Sequence, residues 1–113
     1  MTNPMESPAD VLMIVDTHRR NRPELSVAYA DPVGPLEVVL AEIWSVVLQI
    51  DHIGREDNLF GLGGDSLSVV RIMSRIYHRL GVEVLLSECF ENPTIGSLAV
   101  IVKGRIDPKV FQV

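Results

Sequence analysis

The chain has 113 residues, of which 47% are apolar and 22% charged, a composition typical of one small folded domain and not of a disordered chain. The net charge of −5 argues against nucleic acid as a partner, and a core of this size excludes a large α/β domain with a deep cleft. A single cysteine excludes an internal disulfide and no apolar run reaches membrane-spanning length, so we expect a cytoplasmic protein that does not associate with membranes.

Residues 1–34 are predicted to form a flexible arm or linker. Five of the seven prolines lie within the first 35 residues. Proline removes a backbone donor and restrains the residue before it, so regular structure is repeatedly interrupted here. The apolar stretch VLMIV (residues 11–15) is too short for a signal peptide, and it could form one short helical turn or pack on the body of the domain.

The first helix is predicted over residues 36–49, because Leu36, Leu40, Ile43 and Val47 recur at helical spacing. Trp44 lies on the flank of this stripe and is expected in the core. A long loop follows over residues 51–65, and loops of this length in a small domain often carry function. Four apolar residues of the loop are expected to fold back onto the core: Ile53, Leu59, Phe60 and Leu62.

The second helix is predicted to begin at Ser66, with Asp65 as its N-cap and Gly81 as its C-cap. Its predicted apolar stripe has six members: Leu67, Val70, Met73, Ile76, Tyr77 and Leu80. A basic stripe on the same helix consists of Arg71, Arg75 and Arg79. We interpret the basic stripe either as a solvated face, which is the commoner case, or as a surface for a partner.

The rest of the chain is predicted to complete a small helical bundle. An extended connector over residues 82–86 leads to one helical turn over residues 87–91, where Cys89 is expected to be a small buried side chain rather than a reactive thiol. Pro93 ends this turn, and Thr94 is a suitable N-cap for a last helix over residues 94–103. The predicted fold is therefore all-α, a four-helix bundle of three main helices and one short one, with a tail over residues 105–113.

The stretch FGLGGDSLS (residues 60–68) allows three interpretations of Ser66: a nucleophile, an attachment point, or only the first residue of a helix. GDSLS resembles the serine block of the GDSL esterases, but a serine nucleophile needs a base and an acid within reach. His78 is the only histidine after Ser66, and it lies about three turns along the same predicted helix. The hydrolase interpretation is therefore weak.

Metal chemistry has no better support in the sequence. The acidic residues of the loop, Asp51, Glu56, Asp57 and Asp65, lack the spacing of a calcium loop. The three histidines are scattered and the lone cysteine cannot build a structural zinc site, so no metal site is predicted.

Attachment of a group to Ser66 requires only an accessible hydroxyl on a small rigid bundle. Unpaired N–H groups and the positive end of the helix dipole would stabilise a phosphate diester at this position. Gly63 and Gly64 remove side chains just upstream, so a modifying enzyme could approach the backbone closely. Leu67 would be half exposed and available to a partner.

Residues 22–104 resemble a carrier domain of the peptidyl (thiolation) type from non-ribosomal peptide synthesis, within the phosphopantetheine-binding acyl-carrier superfamily. DNLFGLGGDSL (residues 57–67) is similar to the attachment motif of that family, with Ser66 at the modified position. The similarity continues in PLEVVLAEIWSVVL (35–48), SVVRIMSRI (68–76) and CFENPTIGSLA (89–99). RPELSVAYADP (22–32) is similar to the linker that joins an adenylation domain to a carrier.

The resemblance implies a non-catalytic, monomeric carrier domain over residues 35–104. A phosphopantetheinyl transferase would move 4′-phosphopantetheine from coenzyme A to Ser66 with the help of magnesium. The new thiol would carry aminoacyl or peptidyl groups as thioesters to adenylation, condensation, tailoring, epimerisation or thioesterase domains. Gly63, Gly64, Asp65 and Leu67 form the motif around the attachment site. The implied docking residues are Phe60, Leu62, Leu67 and Val70, although Phe60 and Val70 could instead belong to the core.

Three alternatives stay open at this point. Asp65 replaces the histidine of many peptidyl carriers, a variant that accompanies epimerisation domains and that is also usual in acyl carriers of polyketide and fatty-acid pathways. The basic second helix and the double glycine favour the peptidyl type. The linker-like segment suits a fragment of a larger synthetase, whereas Met1 and the residues before Arg22 suit a free-standing carrier. A passive helical adaptor would leave Ser66 unmodified.

Overall fold

Four helices form a bundle around one core in the computed structural model, which describes residues 20–111. They are α1 (Gly34–Leu48), α2 (Ser66–Leu80), α3 (Leu86–Glu91) and α4 (Ile95–Lys103). Helix α1 packs against both α2 and α4, and α3 packs against α2. The predicted all-α four-helix architecture is confirmed, and VLMIV lies outside the described residues. Within residues 20–111, no helix combines the length and the apolar character needed to cross a membrane.

Helix α1 begins two residues earlier and ends one residue earlier than predicted. Pro35 lies in its first turn, where a missing N–H costs no intrahelical hydrogen bond, so the helix extends back to Gly34. The Glu37 carboxylate accepts the N–H of Val33 at 2.9 Å and two bonds from the Arg55 guanidinium at 2.8 and 2.9 Å. The bonds from Arg55 are the main reason why the pKa of Glu37 is lowered. They also join the start of α1 to the following loop.

A short parallel ladder, which the sequence did not predict, connects the start of the described chain to the end of α1. It pairs β1 (Arg20–Asn21) with β2 (Ile50–Asp51), with Arg20 opposite Ile50. Strands of two residues are too short to show a readable alternation of apolar and polar residues. After β1 the backbone carbonyl of Ala30 accepts the N–H of Arg55 at 2.9 Å. The described part of the predicted arm therefore lies against the bundle.

The loop between α1 and α2 contributes to the core, as predicted. Ile53, Leu59 and Leu62 are buried, and Phe60 is half-buried. The N–H of Leu59 donates to the carbonyl of Pro93 at 2.7 Å, which ties the loop to the turn before α4. Trp44 is buried as expected, and its indole Nε1 has no hydrogen-bond partner among residues 20–111.

The predicted apolar stripe of α2 is wrong in half of its members. The residues that face the core are Val69, Ile72, Ile76 and Leu80. Leu67, Val70 and Tyr77 are more than half exposed instead. Apolar residues occur on two adjacent faces of this helix, and spacing alone does not tell which of two apolar faces packs against the bundle.

The last two helices and the tail complete the bundle. Thr94 caps α4 through its side chain, which accepts the N–H of Ser97 at 3.2 Å. Cys89 is buried, as expected, and burial raises the pKa of its thiol to about 11. The tail is more ordered than predicted, because Ile106 packs on the core and a 3-10 helix follows at Pro108–Phe111.

Glu88 on α3 gives the stability of the bundle a pH dependence. Its carboxylate accepts two bonds from Arg105 and one from the N–H of Leu85, and these lower the pKa of Glu88 from 4.5 to about 2. We expect the wild type to be more stable than Glu88→Gln above pH 4.5. This difference should vanish as the pH falls through about 2, because protonation removes the charged acceptor.

Urea titrations of both proteins across this pH range test the prediction. Glu91→Gln is the control, since Glu91 lies on the same helix and forms no ion pair within residues 20–111. Equal stability differences for the two variants at every pH would contradict the prediction.

Candidate functional site

Ser66 lies at the exposed N-terminus of α2, where the sequence predicted it. Asp65 is the N-cap, and its carboxylate accepts the N–H of Ser68 at 2.9 Å and the Ser68 hydroxyl at 3.0 Å. These bonds lower the pKa of Asp65, with the backbone bond as the largest cause. The Ser66 hydroxyl has no hydrogen-bond partner within residues 20–111. The capping aspartate therefore fixes the first turn through Ser68 and leaves the Ser66 hydroxyl available.

The two glycines before Asp65 have different structural roles. Gly63 adopts a φ of 97°, a conformation that side chains with a Cβ rarely adopt. Gly64 packs against Leu59 so closely that an added Cβ would lie 2.9 Å from the Leu59 carbonyl oxygen. The N–H groups of Gly63 and Gly64 donate to Phe60 and Leu59 at 3.1 and 3.0 Å. This tight turn ends directly before Asp65, the N-cap of α2.

Exposed apolar side chains surround the start of α2. Leu67 is 58% exposed and Val70 is 51% exposed, which suits the docking role expected for both. Phe60 is half-buried and stacks on Phe90 of α3, with ring centroids 5.2 Å apart. Leu62 is 1% exposed, so its expected docking role is wrong: its side chain fills the core below the loop.

Sequence reasoning missed the contribution of α3 to this surface. Leu85, Leu86 and Phe90 are all exposed, although each is a large apolar residue. Helix α3 has only six residues, too few for a hydrophobic period to separate a buried face from an exposed one. The stack of Phe90 on Phe60 connects α3 to the loop that precedes Ser66.

Within residues 20–111, no side chain that could act as the base of a serine hydrolase forms a hydrogen bond with Ser66. His78 lies twelve residues after Ser66 on the same continuous helix, a separation of about 18 Å along the axis. Among residues 20–111, no three His, Cys, Asp or Glu side chains are grouped as a metal site would need.

The residues that are present fit a phosphodiester at Ser66. The hydroxyl is exposed and unpaired at the start of a 15-residue helix, where the positive end of the dipole favours an anion. The neighbouring side chain of Leu67 is exposed to solvent. The arrangement therefore supplies an attachment point.

Comparison with known proteins agrees with this geometry. A family model described as "Phosphopantetheine attachment site" matches residues 38–100, more than half of the chain. This match begins within α1 and ends within α4, so it includes residues of all four helices and contains Ser66.

Among curated proteins, the chain is similar to very large peptide synthetases. It is 47% identical over 78 residues to malpibaldin synthetase from Mortierella alpina, which covers 69% of this chain and 1% of that protein. It is 48% identical over 75 residues to one of the plipastatin synthase proteins from Bacillus subtilis strain 168, which covers 66% of this chain and 3% of that protein. The chain thus spans only a small fraction of the curated relatives it matches.

A solved structure extends the comparison to the fold. The structure described as the phosphopantetheine transferase Sfp in complex with coenzyme A and a peptidyl carrier protein contains a chain that is 38% identical. The match covers 68% of this chain and all of that chain, with a TM-score of 0.67. The residues, the bundle and these comparisons agree: the chain belongs to the phosphopantetheine-attachment family and is a carrier domain of the peptidyl (thiolation) type.

Proposed function

We propose that Ser66 is the residue to which 4′-phosphopantetheine is attached, and that the domain carries aminoacyl or peptidyl intermediates of non-ribosomal peptide synthesis. The observation that carries this proposal is the exposed, unpaired hydroxyl of Ser66 at the N-terminus of α2, inside the residues that match the family model. The similarity to two peptide synthetases favours the peptidyl type over an acyl carrier of polyketide or fatty-acid pathways.

The role of this chain in the attachment reaction is to present Ser66. Its oxygen attacks the β-phosphorus of coenzyme A, the bond between the two phosphates breaks, and adenosine 3′,5′-bisphosphate leaves. The hydroxyl proton passes to a base of the transferase, since no base of this chain contacts Ser66 within residues 20–111. The attached group supplies a thiol that holds the acyl cargo as a thioester. Asp65 and the turn at Gly63 and Gly64 keep Ser66 in a fixed position for the transferase.

The proposed partners approach the start of α2. They are a phosphopantetheinyl transferase and the adenylation, condensation, tailoring, epimerisation and thioesterase domains of a synthetase. The exposure of Leu67, Val70 and Phe90 supports an apolar docking surface there, with Phe60 at its edge. The chain itself is proposed to be non-catalytic. We also propose that it acts in the cytoplasm, which its single buried cysteine supports.

The chain is proposed to divide into a carrier domain and two flanking segments. We propose residues 35–104 as the carrier domain, residues 1–34 as the arm that leads to it and residues 105–113 as a tail. The pairing of Arg22 with the buried Asp57 and the packing of Ile106 on the core support contacts between the domain and both flanking segments.

Intact-protein mass spectrometry tests the proposed attachment residue. The purified chain is incubated with coenzyme A, magnesium and a promiscuous phosphopantetheinyl transferase. We expect the wild type to gain one phosphopantetheine and Ser66→Ala to gain none, because no other hydroxyl occupies the first position of α2. Ser68→Ala is the matched control and should still be modified, although it loses a bond to Asp65. Modification of Ser66→Ala, or an unmodified wild type beside a modified control carrier, would refute the proposal.

A further inference from the structure

A groove of about 910 Å³ runs between α1 and α2, beyond the residues that surround Ser66. Helix α1 contributes the apolar side chains Val46 and Val47, and α2 contributes three arginines, Arg71, Arg75 and Arg79. His78 also lines the groove, and Glu42 is the one acidic residue that residues 20–111 contribute to it. The groove therefore combines an apolar wall with a basic wall.

The positive charge of the basic wall is only partly compensated by carboxylates of the described chain. Arg79 pairs with Glu42 at 3.2 Å, but Arg71 and Arg75 form no ion pair with other residues of the range 20–111. Helix α2 contains no Asp or Glu. Val46 on the opposite wall is 46% exposed. In a chain with a net charge of −5, such a surface suits an occupant that is both acidic and apolar.

The sequence before β1 has this composition. The apolar stretch VLMIV (residues 11–15) is flanked by Asp10 and Asp16, with Glu6 further upstream. Residues 1–17 contain no Lys, Arg or His. The segment over residues 6–16 is thus apolar, like one wall of the groove, and opposite in charge to the other wall.

The position of β1 places this segment within reach of the groove. Arg20 pairs with Ile50 in a parallel ladder, and Ile50 directly follows Gln49, which lines one end of the groove. The chain that precedes Arg20 therefore starts beside that end. Three residues lie between Asp16 and Arg20, and the four Cα-to-Cα steps span up to about 14 Å. The groove side of α1 from Glu42 to Gln49 is about 10 Å long, so the segment can extend along the groove.

We propose that residues 6–16 of this chain bind in the groove between α1 and α2, with VLMIV against Val46 and Val47 and with the flanking carboxylates beside Arg71 and Arg75. The bound segment covers the basic face of α2 and leaves the N-terminus of α2 open. The bound segment also places the residues before it at the face formed by α1 and α2. The proposal does not depend on modification of Ser66.

Paramagnetic broadening in amide NMR spectra of the full chain tests the proposal. A nitroxide is attached to Thr2→Cys, and Cys89 does not compete because it is 2% exposed. We expect a loss of peak intensity for amides that line the groove. Arg71→Glu combined with Arg75→Glu should abolish this loss. The control, Lys103→Glu with Lys109→Glu, changes the net charge equally on other elements and should retain it.

A charge-swap rescue separates binding in the groove from a general effect of charge. Adding Asp10→Arg and Asp16→Arg to the double arginine variant should restore the loss of intensity, because the charges are complementary again. The proposal is overturned if the wild type shows no loss at the groove, which would leave it to a separate acidic partner. The proposal is also overturned if the nitroxide weakens the groove amides only of other chains in a mixture and not those of its own chain. A second copy would then be the occupant.

Discussion

Replacing Asp57 with alanine is expected to destabilise the carrier domain by about 3 kcal/mol. The Asp57 carboxylate is fully buried and accepts two bonds from Arg22, both at 2.7 Å, and the N–H of Gly54 at 2.8 Å. Alanine leaves the buried Gly54 N–H unpaired and deprives the guanidinium of its counter-ion. The variant should lose stability in urea titrations, and amides of residues 22–30 should exchange faster with solvent.

Two further variants identify the cause of this loss. Glu42→Ala removes a carboxylate from the exposed pair with Arg79 and should cost less than about 1 kcal/mol. Asp57→Asn keeps the shape of the side chain and an acceptor for Gly54, so its cost should lie between those of the two alanine variants. If Asp57→Ala proved no more costly than Glu42→Ala, the buried pair would not anchor the segment that precedes α1.

Replacing Gly64 with alanine is expected to cost about 1–3 kcal/mol and to slow the modification of Ser66. An added Cβ would lie 2.9 Å from both Cδ1 and the carbonyl oxygen of Leu59, and Leu59 is 1% exposed, so it has no space into which to move. The turn at Gly63 and Gly64, which precedes Ser66, must therefore shift. Urea titration measures the stability, and the initial rate of phosphopantetheine transfer measures the change in the site.

The control for this variant is Gly104→Ala. A Cβ at Gly104 would meet its nearest atom at 3.6 Å, an ordinary contact, and the residue lies at the end of α4 with a helical φ of −71°. Its stability and its rate of transfer should match those of the wild type. Equal behaviour of Gly64→Ala and Gly104→Ala would show that the turn before Ser66 tolerates a side chain.

The basic stripe of α2, Arg71, Arg75 and Arg79, lies on the surface of the bundle. Its arginines do not point into the core and only Arg79 pairs with an acidic residue of the described chain. Within the described chain, the three arginines therefore neither pack in the core nor form a network of ion pairs. The proposed binding of residues 6–16 would give it a role in positioning the carrier, while Leu67 and Val70 remain free for partners at the other face.

The features that sequence reasoning predicted correctly depend on neighbours in the chain. Asp65 and Thr94 were identified as N-caps because a capping side chain bonds to an N–H only three residues away. Gly81 was identified as the C-cap of α2 because the left-handed conformation there, with a φ of 70°, is a property of a single residue. The position of Ser66 at the start of a helix follows from the same local rules.

Contacts between distant residues could not be read in this way. The pairing of Arg22 with Asp57 spans 35 residues, and that of Arg105 with Glu88 spans 17. Residues of either charge are scattered along the chain, so composition does not tell which of them meet. The β1 and β2 ladder and the order of the tail escaped prediction for the same reason, since both depend on where the bundle brings the chain ends.

By itself the sequence determined the number of helices, the caps Asp65, Gly81 and Thr94, and the residue that is presented at the N-terminus of α2. Only the tertiary structure decided which apolar side chains are core and which are surface. Leu62 is buried and Leu67 is exposed, although both are leucines of the same stretch FGLGGDSLS. Periodicity records the spacing of apolar residues along a helix or loop, whereas burial depends on which of their faces the neighbouring helices cover.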